Sequence, residues 1–224
     1  LEPVPSLTLD KYCGPTPESN WVIPDRLLVG AYPASQSDVE TFELLISILK
    51  LKTTTFVCLQ QEYRTHGITE AMWRSGHALR PYFEDVKLII KNKAMFKSLS
   101  EHPGVVDPQN LDFVHFPIRD CSISDDAAVL KLSQSLVARM DKGERLYLHC
   151  WGGHGRTGTV VCIMLHLMYG MSAKDAMAYC QRAHDLRQCP VNVGSPQTET
   201  QRDQVTRVVA ALIQHRRSQA AAVA

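Results

Sequence analysis

A cysteine and an arginine six positions apart frame a loop that is rich in glycine. Three of the five residues between Cys150 and Arg156 are glycines: Gly152, Gly153 and Gly155. Because glycine has no Cβ, such a loop can turn tightly and point successive backbone N–H groups into one concavity. A helix that begins at the same place adds the partial positive charge of its N-terminus. The sequence therefore predicts a binding site for a tetrahedral oxyanion.

The side chains of this loop indicate what happens to the bound anion. The Cys150 sulfur would lie beneath it, where backbone N–H groups and Arg156 favour the thiolate, which is the nucleophilic form. The Arg156 guanidinium matches two phosphate oxygens at once and keeps its charge at any working pH. Thr157 adds a hydroxyl that can donate a hydrogen bond to the sulfur. This set of groups predicts nucleophilic attack on a phosphate ester.

Regular elements must hold the loop in place. Apolar residues at 146–148 predict a short buried strand before the loop, and the apolar run at 159–169 predicts a buried helix after it. Other predicted strands are at 21–23, 27–30, 53–59 and 113–116, and other predicted helices are at 35–50, 124–142 and 172–182. This alternation favours an α/β fold in which a central, mostly parallel sheet is flanked by helices.

Residues 149–158, which read HCWGGHGRTG, carry a known signature. The stretch resembles His-Cys, five residues and Arg-Ser/Thr-Gly of cysteine-dependent protein tyrosine phosphatases, and the chain is similar to their dual-specificity branch. The resemblance implies the phosphotyrosine protein phosphatase-like fold, no metal or cofactor, and hydrolysis through a phosphocysteine. It implies that His149 tunes the thiolate. The residues implied to bind the substrate phosphate are Trp151, Gly152, Gly153, His154, Gly155 and Arg156.

A second stretch resembles the general-acid loop of this family, in which a strand ends in Pro-x-x-Asp, here residues 117–120. When a phosphocysteine forms, the departing oxygen needs a proton, and the same carboxylate can later activate water. Asp125 and Asp126 are the neighbouring alternatives. Both precede the apolar-periodic segment 127–140, where they fit the capping of a helix better. We therefore expect Asp120 to be the acid.

A third stretch resembles the glutamine loop of the family, Gln-Thr-x-x-Gln, here Gln197 to Gln201. The resemblance implies that one of these glutamines, Gln197 foremost, positions the hydrolytic water. A solvent-facing glutamine pair on a helix is the alternative. We expect Ser195 to be the N-cap of the last helix, with Pro196 in its first turn.

Cysteine usage predicts the compartment. The seven cysteines have no regular spacing and several lie in apolar runs, which indicates reduced thiols and a cytoplasmic location. Cys58 lies on the strand that we place beside the Cys150 strand. In a lipid phosphatase of the superfamily, a cysteine at a comparable place forms a disulfide with the nucleophile, so the resemblance implies Cys58 as a possible redox partner. The alternative is a small buried apolar residue.

Length and charge set limits on the rest. A chain of 224 residues fits one domain, and a net charge of +1 gives no support for binding nucleic acid or membranes. No apolar run is long enough to span a bilayer. We expect an extended N-terminal arm at 1–20, a phosphatase-like domain at 21–215 with an insertion at about 61–110 that can shape substrate access, and a tail at 216–224. Nothing indicates the oligomeric state.

Two other site types fit the residues poorly. A nucleotide-binding loop requires Gly-x4-Gly-Lys-Ser/Thr, but Cys150 stands five positions before Gly155 and the basic residue is Arg156. A zinc site built from His149, Cys150 and His154 lacks a second pair of ligands at the usual spacing.

The substrate is the open question. Phosphoinositide phosphatases of the superfamily carry lysines where this chain has Trp151 and His154, which disfavours a highly charged inositol head group. A protonated His154 would restore one charge, and Trp151 would either form a pocket wall or pack beneath the loop. We expect a phosphorylated protein substrate, with phosphotyrosine, phosphoserine and phosphothreonine all allowed. A phosphoinositide, a small phosphate ester and a role as an inactive phosphoprotein-binding module are the alternatives.

Overall fold

The computed structural model describes residues 9–96 and 108–223, and its centre is a five-stranded sheet. The strands are β1 (Ser19–Ile23), β2 (Leu27–Gly30), β3 (Thr55–Gln60), β4 (Asp112–Ile118) and β5 (Leu146–His149). Their spatial order is β1-β2-β5-β3-β4. Only β1 runs antiparallel to its neighbour, and the other pairs are parallel. The prediction of an α/β fold with a mostly parallel sheet is confirmed.

Eight α-helices accompany these strands within the described ranges. They are α1 (Leu9–Tyr12), α2 (Asp38–Leu49), α3 (Glu70–Arg74), α4 (Tyr82–Lys91), α5 (Asp126–Asp141), α6 (Gly155–Tyr169), α7 (Ala173–His184) and α8 (Glu199–Val223). Every residue of α6 except Leu167 is buried, because this helix packs against α5, α7 and α8. Strand β5 is fully buried between β2 and β3. The loop that joins β5 to α6 is therefore fixed at both ends by the core.

The predicted helix starts can be compared with the observed caps. The Asp125 carboxylate accepts a hydrogen bond from the Ala128 N–H at 2.9 Å, as expected for the N-cap of α5. Ser172 caps α7 in the same way by accepting from the Asp175 N–H at 3.1 Å. The aspartate cap of α5 and the start of a helix at residue 172 agree with the predictions from the sequence.

The prediction that Ser195 caps the last helix is wrong. Helix α8 begins at Glu199, after a reciprocal pair in which the Thr198 hydroxyl accepts from the Gln201 N–H and the Gln201 Oε1 accepts from the Thr198 N–H. That pair satisfies the helix start without Ser195. The Ser195 hydroxyl instead donates to the His154 carbonyl at 3.1 Å.

The N-terminal end of the described chain also differs from the prediction, whereas the C-terminal end does not. The N-terminal arm is not extended throughout, because residues 9–12 form a helical turn that buries Tyr12 against Tyr179 of α7. The tail at 216–223 continues α8. None of the helices in these ranges is long and apolar enough to cross a membrane.

Candidate active site

The glycine-rich loop forms one wall of a pocket of about 270 Å³ at the carboxyl ends of the parallel strands. Cys150 lies in this pocket and is only 3% exposed. The pocket gathers side chains from four separate parts of the sequence, which include all three stretches singled out above. Its lining residues are Glu18, Asp120, Cys121, Cys150, Trp151, Gly152, His154, Gly155, Arg156, Gln197 and Gln201.

Two glycines of the loop are required by their surroundings. Gly153 has a φ of +71°, and a Cβ at this position would lie 2.3 Å from the Gly30 carbonyl oxygen. A Cβ on Gly155 would lie 2.5 Å from Oε1 of Gln201. The absence of side chains here lets the loop approach β2 and the start of α8 closely.

Arg187 holds the loop from behind, although no motif or spacing in the sequence indicates this role. Its buried guanidinium donates to the carbonyls of Gly152 and Gly153 at 2.9 Å each and to Oδ1 of Asn20 at 2.8 Å. The C=O and N–H of a trans peptide point in opposite directions. Fixing these carbonyls toward Arg187 therefore turns the N–H groups of Gly153 and His154 away from it.

The guanidinium of Arg156 is 2% exposed and is surrounded by acceptors. Its Nη1 donates to Glu62 at 2.9 Å and to the Ile118 carbonyl at 3.0 Å. Its Nη2 lies 2.8 Å from Oδ1 of Asp120, yet it makes no hydrogen bond with the described residues. Burial opposes the charge, but Cys150, Glu62 and Asp120 outweigh burial and raise the pKa of Arg156. An incoming oxyanion that binds this nitrogen would therefore compete with Asp120 and would not break a hydrogen bond within the described residues.

Asp120 lies in the pocket as predicted, at the end of β4. Its side chain is 64% exposed, and its contact with Arg156 brings the acid stretch to the glycine-rich loop. The next residue, Cys121, has a φ of +53°, in the left-handed region that is uncommon for a residue with a Cβ. Asp126, by contrast, pairs with Arg207 and Gln204 at the start of α5. The two carboxylates are therefore in different places, as the sequence suggested.

His149 is completely buried beneath the loop and does not line the pocket. Its Nε2 lies 2.7 Å from the Tyr82 hydroxyl, and its Nδ1 lies 3.1 Å from the Cys150 carbonyl. Burial lowers the pKa of His149 to about 3, so the ring is neutral near pH 7. Tyr82 belongs to the predicted insertion, so the insertion packs behind the loop at this point.

The hydroxyl of Thr157 is also buried and has no hydrogen-bond partner among the described residues.

His154 lines the pocket but does not supply a positive charge near neutral pH. Its Nδ1 lies 2.7 Å from Nε2 of His184. Burial, together with the charge of Arg187 and His184, lowers the pKa of His154 to about 4. The sequence left open a protonated His154, and the surroundings of the ring oppose it.

Trp151 forms a wall of the pocket and does not pack beneath the loop. Its side chain is 60% exposed, and its ring stacks on Tyr32 with centroids 5.9 Å apart and an interplanar angle of 11°. The Tyr32 N–H donates to the Trp151 carbonyl at 2.8 Å. A rigid aromatic surface therefore stands at the rim of the pocket.

The two glutamines differ in exposure and contacts. Gln201 is 1% exposed, and its Nε2 donates to the Ser122 carbonyl at 3.1 Å while its Oε1 caps α8. The alternative interpretation, a solvent-facing glutamine pair, is therefore wrong for Gln201. Gln197 is exposed, lines the same pocket, and its side-chain amide makes no hydrogen bond with the described residues. Of the two, Gln197 is the one available to a water molecule.

Cys58 is buried on β3, where it is the register partner of His149 on β5. Burial raises the pKa of its thiol to about 12. The strand adjacency predicted for Cys58 is confirmed, whereas its redox role stays a prediction. In the described ranges there is no group of three or more His, Cys, Asp or Glu side chains that could hold a metal ion.

Part of the chain is similar in sequence to a known viral protein. The chain is 32% identical over 85 residues to the putative tyrosine phosphatase 067L of Invertebrate iridescent virus 3. The match covers 36% of this chain and 35% of the viral protein, so it spans about a third of that relative.

Solved structures share the fold at low identity. A crystal structure of Tk-PTP in the active form has a TM-score of 0.56 and 17% identity, and it covers 87% of this chain and 97% of that one. A crystal structure of PTPMT1 in complex with PI(5)P has a TM-score of 0.50 and 15% identity, with 87% and 98% covered. Residues 95–220, more than half of the chain, match the family described as PTP-SAK: Swiss Army Knife protein, DSP-PTPase phosphatase domain, and the chain therefore belongs to that family.

Proposed function

We propose that this protein hydrolyses phosphate monoesters of phosphotyrosine, of phosphoserine or phosphothreonine, or of both classes in phosphorylated proteins, through a phosphocysteine intermediate. The observation that carries the proposal is the single pocket that holds Cys150, Arg156, Asp120 and Gln197 together. Each of the four groups supplies one requirement of a two-step displacement: a nucleophile, an oxyanion clamp, an acid and a group that positions water.

In the first step the Cys150 thiolate attacks phosphorus, and the bond from phosphorus to the ester oxygen breaks. The loop N–H groups and Nη2 of Arg156 hold the non-bridging oxygens, because charge is spread over these atoms in the transition state. Asp120 transfers its proton to the departing oxygen. A phosphate dianion that binds Arg156 competes with Asp120 for the guanidinium.

In the second step water attacks the phosphocysteine. Asp120, now ionised, takes a proton from this water, and the exposed amide of Gln197 orients it. The bond from phosphorus to sulfur breaks, inorganic phosphate leaves and the Cys150 thiolate is restored. Gln201 contributes indirectly, because its hydrogen bond to Ser122 ties the acid stretch to the start of α8.

Two residues of the loop favour a protein substrate over a phosphoinositide. Position 151 holds a tryptophan, and position 154 holds a histidine whose pKa burial lowers to about 4, so neither supplies a fixed positive charge for a multiply phosphorylated head group. The likeness to the PTPMT1 complex rests on the fold alone at 15% identity. All seven cysteines are free thiols, which supports action in a reducing compartment such as the cytoplasm.

The test begins with p-nitrophenyl phosphate in the presence of EDTA, where we expect sustained turnover. A panel follows in which one peptide carries phosphotyrosine, phosphoserine or phosphothreonine at the same position, beside phosphoinositides in mixed micelles. We expect kcat/KM for at least one peptide to exceed that for every phosphoinositide. Binding of phosphopeptides without any turnover would identify an inactive binding module instead, and faster hydrolysis of a phosphoinositide would overturn the proposed substrate class.

A further inference from the structure

A second cavity, of about 300 Å³, lies next to the candidate active site. Its walls are largely apolar and include Tyr32, Pro33 and Leu44. Two carboxylate side chains, Glu18 and Glu40, also line it. A volume of this size is at the small end of ligand pockets and suits one side chain better than a whole cofactor.

The cavity is continuous with the wall of the active-site pocket. Glu18 lines both spaces. Tyr32 forms a wall of the second cavity, while its ring stacks on Trp151 of the first. The Tyr32–Trp151 pair and Glu18 therefore connect the walls of the two spaces. A polypeptide whose phosphorylated residue enters above Cys150 passes over this boundary and can place a neighbouring side chain in the second cavity.

Charge and shape select the kind of side chain. Glu18 and Glu40 are exposed, and neither is paired with a basic residue in the described part of the chain. A guest that is apolar along its stem and cationic at its end would contact the apolar walls and neutralise both carboxylates. Arginine fits better than lysine, because its planar guanidinium can bind two carboxylates and is more weakly hydrated than an ammonium.

We propose that this cavity is a specificity subsite for an arginine that flanks the phosphorylated residue of a protein substrate, an inference that rests on the proposed function. Glu18 and Glu40 are then positioning groups for the substrate chain and take no part in the phosphoryl transfer itself. The enzyme would select phosphorylated sites in basic sequence contexts.

The test uses synthetic phosphotyrosine peptides in which a single arginine is moved from four positions before the phosphorylated residue to four positions after it. Each peptide has a partner that carries citrulline, which keeps the shape of arginine and lacks its charge. We expect the ratio of kcat/KM for the two partners to reach about fivefold at one position, as for a good partly exposed ion pair. This ratio should decrease at high ionic strength.

Variants locate the effect on the enzyme. The Glu18→Gln/Glu40→Gln double variant should reduce the ratio to about one at the preferred position. Glu43→Gln, on the same helix as Glu40 but outside the cavity, should keep it. Because the ratio compares two substrates on one enzyme, a general loss of activity in a variant cancels.

The outcomes separate this inference from the proposed function. Equal rates for arginine and citrulline at every position, or a ratio that survives in the double variant, would overturn the subsite and leave the phosphatase intact. A leucine peptide that outperforms the arginine peptide would mean that the cavity takes an apolar side chain and that its carboxylates are incidental. Turnover of p-nitrophenyl phosphate without turnover of any phosphopeptide would refute the protein-substrate proposal, and the subsite with it.

Discussion

The loop at 150–156 and the acid stretch, residues 117–124 around Asp120, meet in one pocket but differ in how firmly their surroundings hold them. Buried groups hold the loop from behind, with Arg187 on two of its carbonyls and the Tyr82 hydroxyl on His149 just before it. The acid stretch has an aspartate that is 64% exposed and touches the loop through Arg156. Gln201 secures this stretch at the Ser122 carbonyl.

This difference follows from what each region has to do in the two-step mechanism that we propose. The loop must present the same N–H groups to the phosphoryl group in both steps, so its geometry is useful only if it does not relax. The acid must give a proton to one oxygen and later take a proton from another, so its carboxyl needs access to solvent and substrate. Rigidity is thus placed where charge is held, and exposure is placed where protons move.

The largest expected effect comes from the nucleophile at the centre of the rigid region. Cys150→Ser should reduce turnover of p-nitrophenyl phosphate by about 10⁴-fold or more, because the alcohol lacks the nucleophilicity of the thiolate. Phosphate binding, measured by calorimetry, should persist because the loop remains intact. Cys13→Ser, outside the pocket, is the control and should retain full activity. Hydrolysis by Cys150→Ser within tenfold of the parent would require another nucleophile.

A smaller loss is expected in the exposed region. Asp120→Asn should lower kcat for an alkyl phosphate such as phosphoserine by about 10²- to 10³-fold, since the departing alkoxide is left without its proton donor. The loss should be smaller for p-nitrophenyl phosphate, because its leaving group needs little protonation. Asp126→Asn changes contacts between the start of α5 and α8, outside the pocket, and should leave this pattern unchanged. If both variants lose activity equally, the acid lies elsewhere.

Arg187→Lys tests whether the rigid region depends on its support from behind. A lysine keeps the charge but cannot span the carbonyls of Gly152 and Gly153 and the Asn20 amide together, so the loop N–H groups lose their fixed direction. We expect kcat/KM to fall about 10- to 100-fold, with phosphate affinity falling in parallel. Arg182→Lys, on the exposed side of α7, serves as the control. Unchanged phosphate affinity in Arg187→Lys would show that the loop holds its shape without this support.

The same division explains what could be predicted from the sequence. The loop, the strand before it and the helix after it are contiguous, so spacing and residue type reveal them. The position of Asp120 could also be predicted from the sequence, because a strand end and a proline precede it. The capping role of Asp125 was likewise local, since a cap contacts the residue three positions ahead.

The residues that hold the loop and its arginine in place could not be predicted from the sequence. Arg187 and Tyr82 reach it from distant parts of the chain, and no spacing links them to Cys150 before the fold is known. For the same reason, no local pattern in the sequence indicates that Glu62 pairs with Arg156. The wrong prediction for Ser195 has a related origin. Ser195 and Thr198 are both suitable N-cap residues a few positions apart, but the Ser195 hydroxyl donates to the distant His154 carbonyl, and Thr198 caps the helix.

The most modest expected effect concerns stability and again separates the two regions. Burial lowers the pKa of His149 to about 3, whereas the unfolded chain titrates near 6.5. The unfolded state therefore binds a proton that the folded state refuses, so this contribution is complete above about pH 6.5 and declines as the pH falls toward 3. Between pH 7 and pH 5 the loss amounts to about 2 kcal/mol in the free energy of unfolding.

Urea denaturation at the two pH values measures this loss. His149→Asn should be less stable at both, because the Tyr82 hydroxyl loses its partner, but its stability should depend less on pH by about that amount. His215→Asn, on the exposed surface of α8, should keep the dependence of the parent. If His149→Asn keeps it as well, the pH sensitivity does not originate beneath the rigid loop.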